Sequence, residues 1–320
     1  MPPLISENSP ASNQPPMHRS EVDRRRFLRA SAAAVTSAGL VRQTTPAPAA
    51  EPSGPPIKKA VKYGMVAGDM SMLDKFKLVK ELGFDGIELN SPNSHSLYEV
   101  LAARDQSGLV IHGVVDSVHW RETLSHADPA VRARGVAGLE TALQDAKSYD
   151  ATTVLLVPAV VNKEVSYAEA YERSQAAISK VLPLAAELDV RIALENVWNN
   201  FLLSPLETAR YIDELESPYV GAYFDVGNVV NYGWPEHWIA TLGERILKLD
   251  IKEYSRKRRD EEGLWRGFEV EIGEGDCDWA AVMRALRDIG YSGWGTAEVR
   301  GGDRARLAEI ADRMDAAFAA

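Results

Sequence analysis

The chain has 320 residues, 45% of them hydrophobic and 26% charged, with a formal net charge of −10 and a single cysteine, Cys277. That apolar content is enough for one large core. So acidic a balance excludes a broad phosphate-neutralising surface for nucleic acid, and a lone thiol excludes an internal disulfide.

The first 50 residues differ from the rest. They are rich in Pro, Ser and Ala, and they hold Asp23-Arg24-Arg25-Arg26-Phe27-Leu28-Arg29, a small-residue apolar run over 30–41, and Ala47-Pro48-Ala49. This resembles a twin-arginine signal peptide: paired arginines, a mild hydrophobic stretch, then a small-x-small cleavage site. The resemblance implies a leader and linker over 1–50, a mature domain over 58–320, and export to the periplasm or the extracellular space. Without the leader's six arginines and three acids, 30 basic and 43 acidic residues remain. No later stretch reaches 18 apolar residues, so the processed chain is expected to stay out of the membrane.

Beyond residue 57, short apolar runs alternate with helical patterns. Strands are expected at 61–67, 86–90, 110–116, 153–158, 191–197, 221–226, 246–251 and 295–299. Most are continuous apolar runs, the pattern of strands buried on both faces. Helical periodicity fills 73–82, 97–107, 129–149, 167–188, 235–242, 279–289 and 303–318, with one more helix opening at Ser204-Pro205. Asp128 before Pro129 is a cap-then-proline start, as is Ser204 before Pro205. Leu82-Gly83 and Ile289-Gly290 are stops. Eight strands alternating with eight helices predict an α/β fold, a (β/α)8 TIM barrel. No G-x-G-x-x-G follows a strand, which argues against an open dinucleotide-binding sheet.

In such a barrel the chemistry lies at the C-terminal strand ends. There the sequence sets Glu195, Asp225, Asp250 and Glu298, each embedded in apolar sequence. A carboxylate in that position loses hydration, and two unit charges about 4 Å apart repel by roughly 4 kcal/mol at an effective dielectric near 20. Four converging carboxylates therefore call for a cation. All-oxygen donors suit a hard divalent ion, Mn²⁺ or Mg²⁺ foremost. The alternative is separate pairing with Lys248, Lys252 or Arg256.

Leu194-Glu195-Asn196, Phe224-Asp225-Val226-Gly227-Asn228, the strand from Ile246 through Asp250 to Glu253, and Thr296-Ala297-Glu298-Val299 carry a resemblance. Together with the stretch from Gly273 to Trp279, they are similar to the metal strands of the xylose-isomerase-like sugar isomerase/epimerase family. That family includes ketose 3-epimerases, hydroxypyruvate isomerases and inosose dehydratases, and the resemblance runs over about 61–318. It implies a metal held by Glu195, Asp225, Asp250 and Glu298, with Glu195 and Glu298 as the catalytic bases. The implied reaction abstracts a proton beside a carbonyl and passes through an ene-diolate. In the family the third ligand is usually His. Asp250 in its place adds negative charge and hardens the site, which favours Mn²⁺ or Mg²⁺ over Zn²⁺. Phe201 and Asn228 replace a carboxylate and a His of the ketose 3-epimerases, whereas Arg256 is kept.

Substrate contacts are expected from His119 and Trp120 after the third strand, and from Asn228, Lys252 and Arg256. Trp198 and Trp234 are expected as ring platforms. Lys252 has pairing with Glu253 as its alternative, and the rest of the basic run 256–259 reads as a solvated loop. The leading expectation is a metal-dependent sugar isomerase or epimerase acting on a small sugar or keto-sugar, with an oligomer compatible. One rival is an exported 3-keto-glycoside lyase on the same barrel, and another is a non-catalytic sugar-binding protein. A nuclease on the same barrel is disfavoured by the acidic charge.

Overall fold

The structure, a computed structural model, describes residues 57–320; the leader read from the sequence lies outside them. Eight parallel strands close into a barrel in chain order. They are β1 (Lys58–Lys62), β2 (Gly86–Ser91), β3 (Val110–Asp116), β4 (Thr153–Leu156), β5 (Arg191–Glu195), β6 (Val220–Asp225), β7 (Ile246–Ile251) and β8 (Trp294–Ala297). Closure sets Lys58 of β1 opposite Trp294 of β8. The helices are α1 (Met72–Glu81), α2 (Leu97–Ser107), α3 (Pro129–Ser148), α4 (Tyr167–Leu188), α5 (Pro205–Asp213), α6 (Val226–Val230), α7 (Pro235–Leu242), α8 (Arg256–Glu262), α9 (Trp279–Asp288) and α10 (Arg304–Phe318). This is the TIM barrel that the alternating pattern predicts. None of the described helices is long and apolar enough to cross a membrane.

Local sequence explains most of the boundaries. β4 and β6 are buried at every position, as strands covered on both faces must be. Asp128 caps α3 ahead of Pro129, and Ser204 caps α5 ahead of Pro205. Ser166 and Glu169 form a reciprocal capping box on α4.

Two expectations are corrected. The first strand is Lys58–Lys62, not 61–67, and a 3-10 turn, Tyr63–Met65, follows it. Lys59 lies buried in that strand because its ammonium pairs with Asp315 at 2.6 Å. The basic run is not a loop but the exposed helix α8. Ser255 Oγ accepts the Arg258 N–H at its start, and Arg258 pairs with Glu262 one turn on at 3.1 Å.

The barrel interior is partly polar. Tyr223 OH donates to Glu88 Oε1 at 3.1 Å and shares a 2.9 Å hydrogen bond with Thr296 Oγ1. Thr296 reaches His112 Nε2 at 3.2 Å, and His112 Nδ1 meets Lys248 Nζ at 2.9 Å. Gly113 makes room for this layer: a Cβ there would stand 2.9 Å from both Glu88 Oε1 and Thr153 Oγ1. Burial pushes the Lys248 ammonium down to about 7 and holds His112 well below its ordinary range.

Candidate active site

At the C-terminal mouth, Glu195 ends β5, Asp225 ends β6, Asp250 is next to last in β7, and Glu298 follows β8. The structure brings these four together: one ligand oxygen from each lies within 4.8 Å of all the others. Each is held by its local sequence. Asp225 caps α6, with Oδ1 accepting the Asn228 N–H at 2.7 Å, which frees Oδ2 for the mouth. Gly227 is required in that turn, because a Cβ would come within 2.8 Å of the Lys252 backbone.

Two lysines enter the cluster. Lys252 Nζ lies 3.0 Å from Asp225 Oδ2 and 2.7 Å from Glu298 Oε2. These are ion pairs off the hydrogen-bond line, so neither oxygen gains a directed donor. Lys62, the last residue of β1, lies 3.0 Å from Asp250 Oδ2 and 2.9 Å from Glu298 Oε1. Sequence reading missed Lys62, because a strand over 61–67 sets it at the strand's start, away from the mouth. Asp250 Oδ1 is buried without a partner.

Burial and neighbouring charge separate the four carboxyls. Burial, then the charge of Glu298, pushes Glu195 up to about 8. Burial also raises Asp225 to about 6 and Asp250 well above the carboxylate range. Burial would raise Glu298 too, but Lys62 and Lys252 outweigh it and hold Glu298 below its ordinary value. Lys62 stays protonated: burial works against the charge, and Asp250 and Glu298 overcome it.

The expected substrate contacts divide into two groups. His119 is buried near the cluster, and its Nδ1 accepts the Val157 N–H at 3.1 Å. Burial lowers its imidazole to about 3, so the ring is neutral with its proton on Nε2. Trp120 is 52% exposed and packs edge-on against His119. Lys252 faces the centre, not Glu253. Glu253 instead accepts the N–H groups of Gly273 and Cys277 and the Trp279 indole, so the stretch from Gly273 to Trp279 anchors the end of β7.

Asn228 and Arg256 brace the rim. Asn228 Nδ2 donates to Asn196 O at 2.9 Å. Arg256 donates to Val230 O and Gly233 O at 2.8 and 2.7 Å, and its guanidinium lies 5.3 Å from the Trp234 ring centroid. Phe201 is buried among Tyr167, Tyr171 and Tyr211.

An aromatic wall rises from the centre. The Lys252 ammonium sits 5.4 Å from the Phe268 ring, which packs on Trp198 at 4.8 Å. Trp198 packs on Trp265 at 4.9 Å, and Trp265 is 66% exposed.

Fold and centre together define a TIM-barrel protein built around a carboxylate cluster at the catalytic mouth. The chain belongs to the xylose isomerase-like TIM barrel family, which it matches over residues 76–317. The L-ribulose-5-phosphate 3-epimerase UlaE of Shigella flexneri is 23% identical over 233 residues, or 69% of this chain and 79% of that protein. A solved D-psicose 3-epimerase superposes with a TM-score of 0.68 at 20% identity, over 82% of this chain and all of that one. The 3-keto-D-glucoside 4-epimerase YcjR of E. coli superposes with a TM-score of 0.67 at 16% identity, over the same shares. At these identities the structural likeness establishes the fold.

Proposed function

We propose that the protein is a divalent-metal-dependent sugar isomerase or epimerase that moves a proton beside a carbonyl. The observation that carries this reading is the convergence of Glu195, Asp225, Asp250 and Glu298 within 4.8 Å. The orphaned, buried Asp250 Oδ1 within that oxygen-only set fits a hard divalent ion, Mn²⁺ or Mg²⁺. Those four residues would hold it. Such an ion, when bound, polarises a carbonyl and acidifies the neighbouring C–H.

The chain's own groups supply the remaining chemistry. Among the described residues no lysine or arginine pairs with Glu195, whereas Glu298 is held by two ammoniums. In the ionised form that it reaches as pH approaches about 8, Glu195 is therefore the freer proton acceptor for the substrate carbon, leaving an ene-diolate on the sugar. Glu195 gives that proton back at the neighbouring carbon, or, for inversion, Glu298 delivers to the opposite face a proton it has first taken from solvent. The Nε2–H of His119 donates to a substrate hydroxyl, and the wall of Phe268, Trp198 and Trp265 gives the sugar ring an apolar face. Relatives named as sugar 3-epimerases support a sugar or keto-sugar substrate.

The test is a screen of sugars, keto-sugars and glycosides with Mn²⁺ in deuterated water, reading both deuterium uptake and product mass. Deuterium incorporated at a carbon beside the carbonyl, with mass otherwise conserved, is expected. No exchange into any bound sugar would leave a sugar-binding protein instead.

A second reading, a 3-keto-glycoside lyase, is favoured by Trp265. Its exposed ring carries the wall past Trp198, a face on which an aglycone would stack. The same proton abstraction then expels a glycosidic oxygen, and release of an aglycone distinguishes it. The reading includes export by the twin-arginine route, on the strength of Arg24-Arg25 and the run that follows. Fractionation and N-terminal sequencing of the mature protein test that step.

A further inference from the structure

Lys62 stands at the end of β1, where a lysine ordinarily extends its head to solvent. Here the ammonium turns inward, 3.0 Å from Asp250 Oδ2 and 2.9 Å from Glu298 Oε1. Asp250 is fully buried, and its other oxygen has no partner. One oxygen of Asp250 is thus spent on an internal cation and the other is left for an external one. With Lys252 on Asp225 and Glu298, the centre holds four carboxylates and two ammoniums. With all four carboxyls ionised, as ligands of an ion must be, the remainder is two negative charges, the complement of one divalent ion.

We propose that Lys62 and Asp250 work as one neutral donor unit, and that Lys62 sets how tightly the centre holds a divalent cation. The inference rests on the metal-centre reading above. Without an ion, Lys62 spares the barrel the cost of burying an uncompensated carboxylate at Asp250. With an ion, Lys62 is a fixed positive charge beside one ligand, so it weakens binding. Losing Lys62 alone leaves Asp250 uncompensated and tightens the ion. Losing the charge of Asp250 alone leaves Lys62 facing the ion and loosens it. Losing both removes a unit of no net charge.

Calorimetric titration of chelator-stripped protein with Mn²⁺ alone tests this, using wild type, Lys62→Met, Asp250→Asn and the double variant. Melting temperature with and without Mn²⁺ serves as a second readout. Lys62→Met should bind Mn²⁺ about tenfold or more tighter than wild type, and Asp250→Asn about tenfold or more weaker. In the double variant Lys62→Met should rescue Asp250→Asn to within about threefold of wild type, because charges this close act in opposition. If Lys62 is only a brace that orients Asp250 and Glu298, Lys62→Met weakens Mn²⁺ binding and the double variant is no better than Asp250→Asn. That pair of results overturns the inference. Should Lys62→Met fail to fold without the ion, the double variant still decides between rescue and none. No Mn²⁺ binding by any form would overturn the metal-centre reading itself, a separate failure.

Discussion

Asn196 and Asp225 are locked together by a reciprocal pair of hydrogen bonds. Asn196 Nδ2 donates to Asp225 O at 2.9 Å, and the Asp225 N–H donates to Asn196 Oδ1 at 2.8 Å. The residue next to Glu195 thereby fixes the spacing between the ends of β5 and β6. Asn196→Ala leaves the buried Asp225 N–H without this acceptor, which should cost about 1–3 kcal/mol in urea unfolding. Residues that support metal ligands typically matter by about 10- to 100-fold in affinity, so Mn²⁺ binding should weaken by that order. Lost stability with unchanged Mn²⁺ affinity would detach Asn196 from the centre.

Binding of an ion to the folded state alone should stabilise the protein by about 2.7 kcal/mol at a hundredfold excess over Kd. A scanning melt with Mn²⁺, Mg²⁺ and Zn²⁺ reads this directly. Asp250→His exchanges an oxygen donor for an imidazole and should shift the preference towards Zn²⁺ relative to Mn²⁺. An unchanged Mn/Zn ratio in competition titrations would mean that Asp250 is not a ligand.

Glu195→Gln and Glu298→Gln keep side-chain size and one oxygen while removing the proton acceptor. Each should slow turnover by about 10² to 10⁴, the usual worth of a positioned general base. The two should also differ. Because Glu298 is engaged on both oxygens by Lys62 and Lys252, Glu298→Gln is the variant expected to keep substrate C–H exchange with solvent deuterium. Turnover near wild type in both variants would reduce the four carboxylates to a cage without acid–base work.

Asp116, at the end of β3, is nearly inaccessible, and burial pushes its carboxyl up to about 7, with the Val118 N–H offsetting part of the rise. Its Oδ2 has no partner. The folded state therefore keeps this proton to higher pH than the unfolded chain, whose aspartates titrate near about 3.9. Stability should fall as pH rises from about 4 to 7, by up to roughly 4 kcal/mol if Asp116 acts alone. Asp116→Asn removes that dependence, so its stability relative to wild type should improve between pH 5 and pH 8. Urea unfolding at both values checks it, and an equal difference at the two would show that Asp116 does not titrate with folding.

The fold was legible because most strands are apolar runs with caps and stops at the right distances. β1 was not, since Lys58-Lys59-Ala60-Val61-Lys62 carries three lysines in five positions. Lys59 is made tolerable by Asp315 and Lys62 by Asp250, partners some 250 and 190 residues away that no local pattern shows. The carboxylate set was readable for the opposite reason: acids inside apolar strands stand out. Reading Asp250 as one added negative charge overlooked the lysine bound to it. Lys248, Lys252 and Arg256 were each open as partners for the acids. Only Lys252 takes that part, while Lys248 turns to His112 and Arg256 to backbone carbonyls.

The polar layer beneath the centre bears on how the barrel closes. Eight similar β/α units invite misassembly, because a strand shifted by two residues still turns the same face inward. An aliphatic interior would accept such a shift at modest cost. Here Glu88 on β2, His112 on β3, Tyr223 on β6, Lys248 on β7 and Thr296 on β8 are linked by hydrogen bonds across the bore. Sliding any of those strands leaves a buried polar group without its mate, at a cost of several kcal/mol for a charged one. The layer works as a lock with one key: the ring can shut only with each of these strands at its own height, and that height is what delivers the carboxylates above it to a common point.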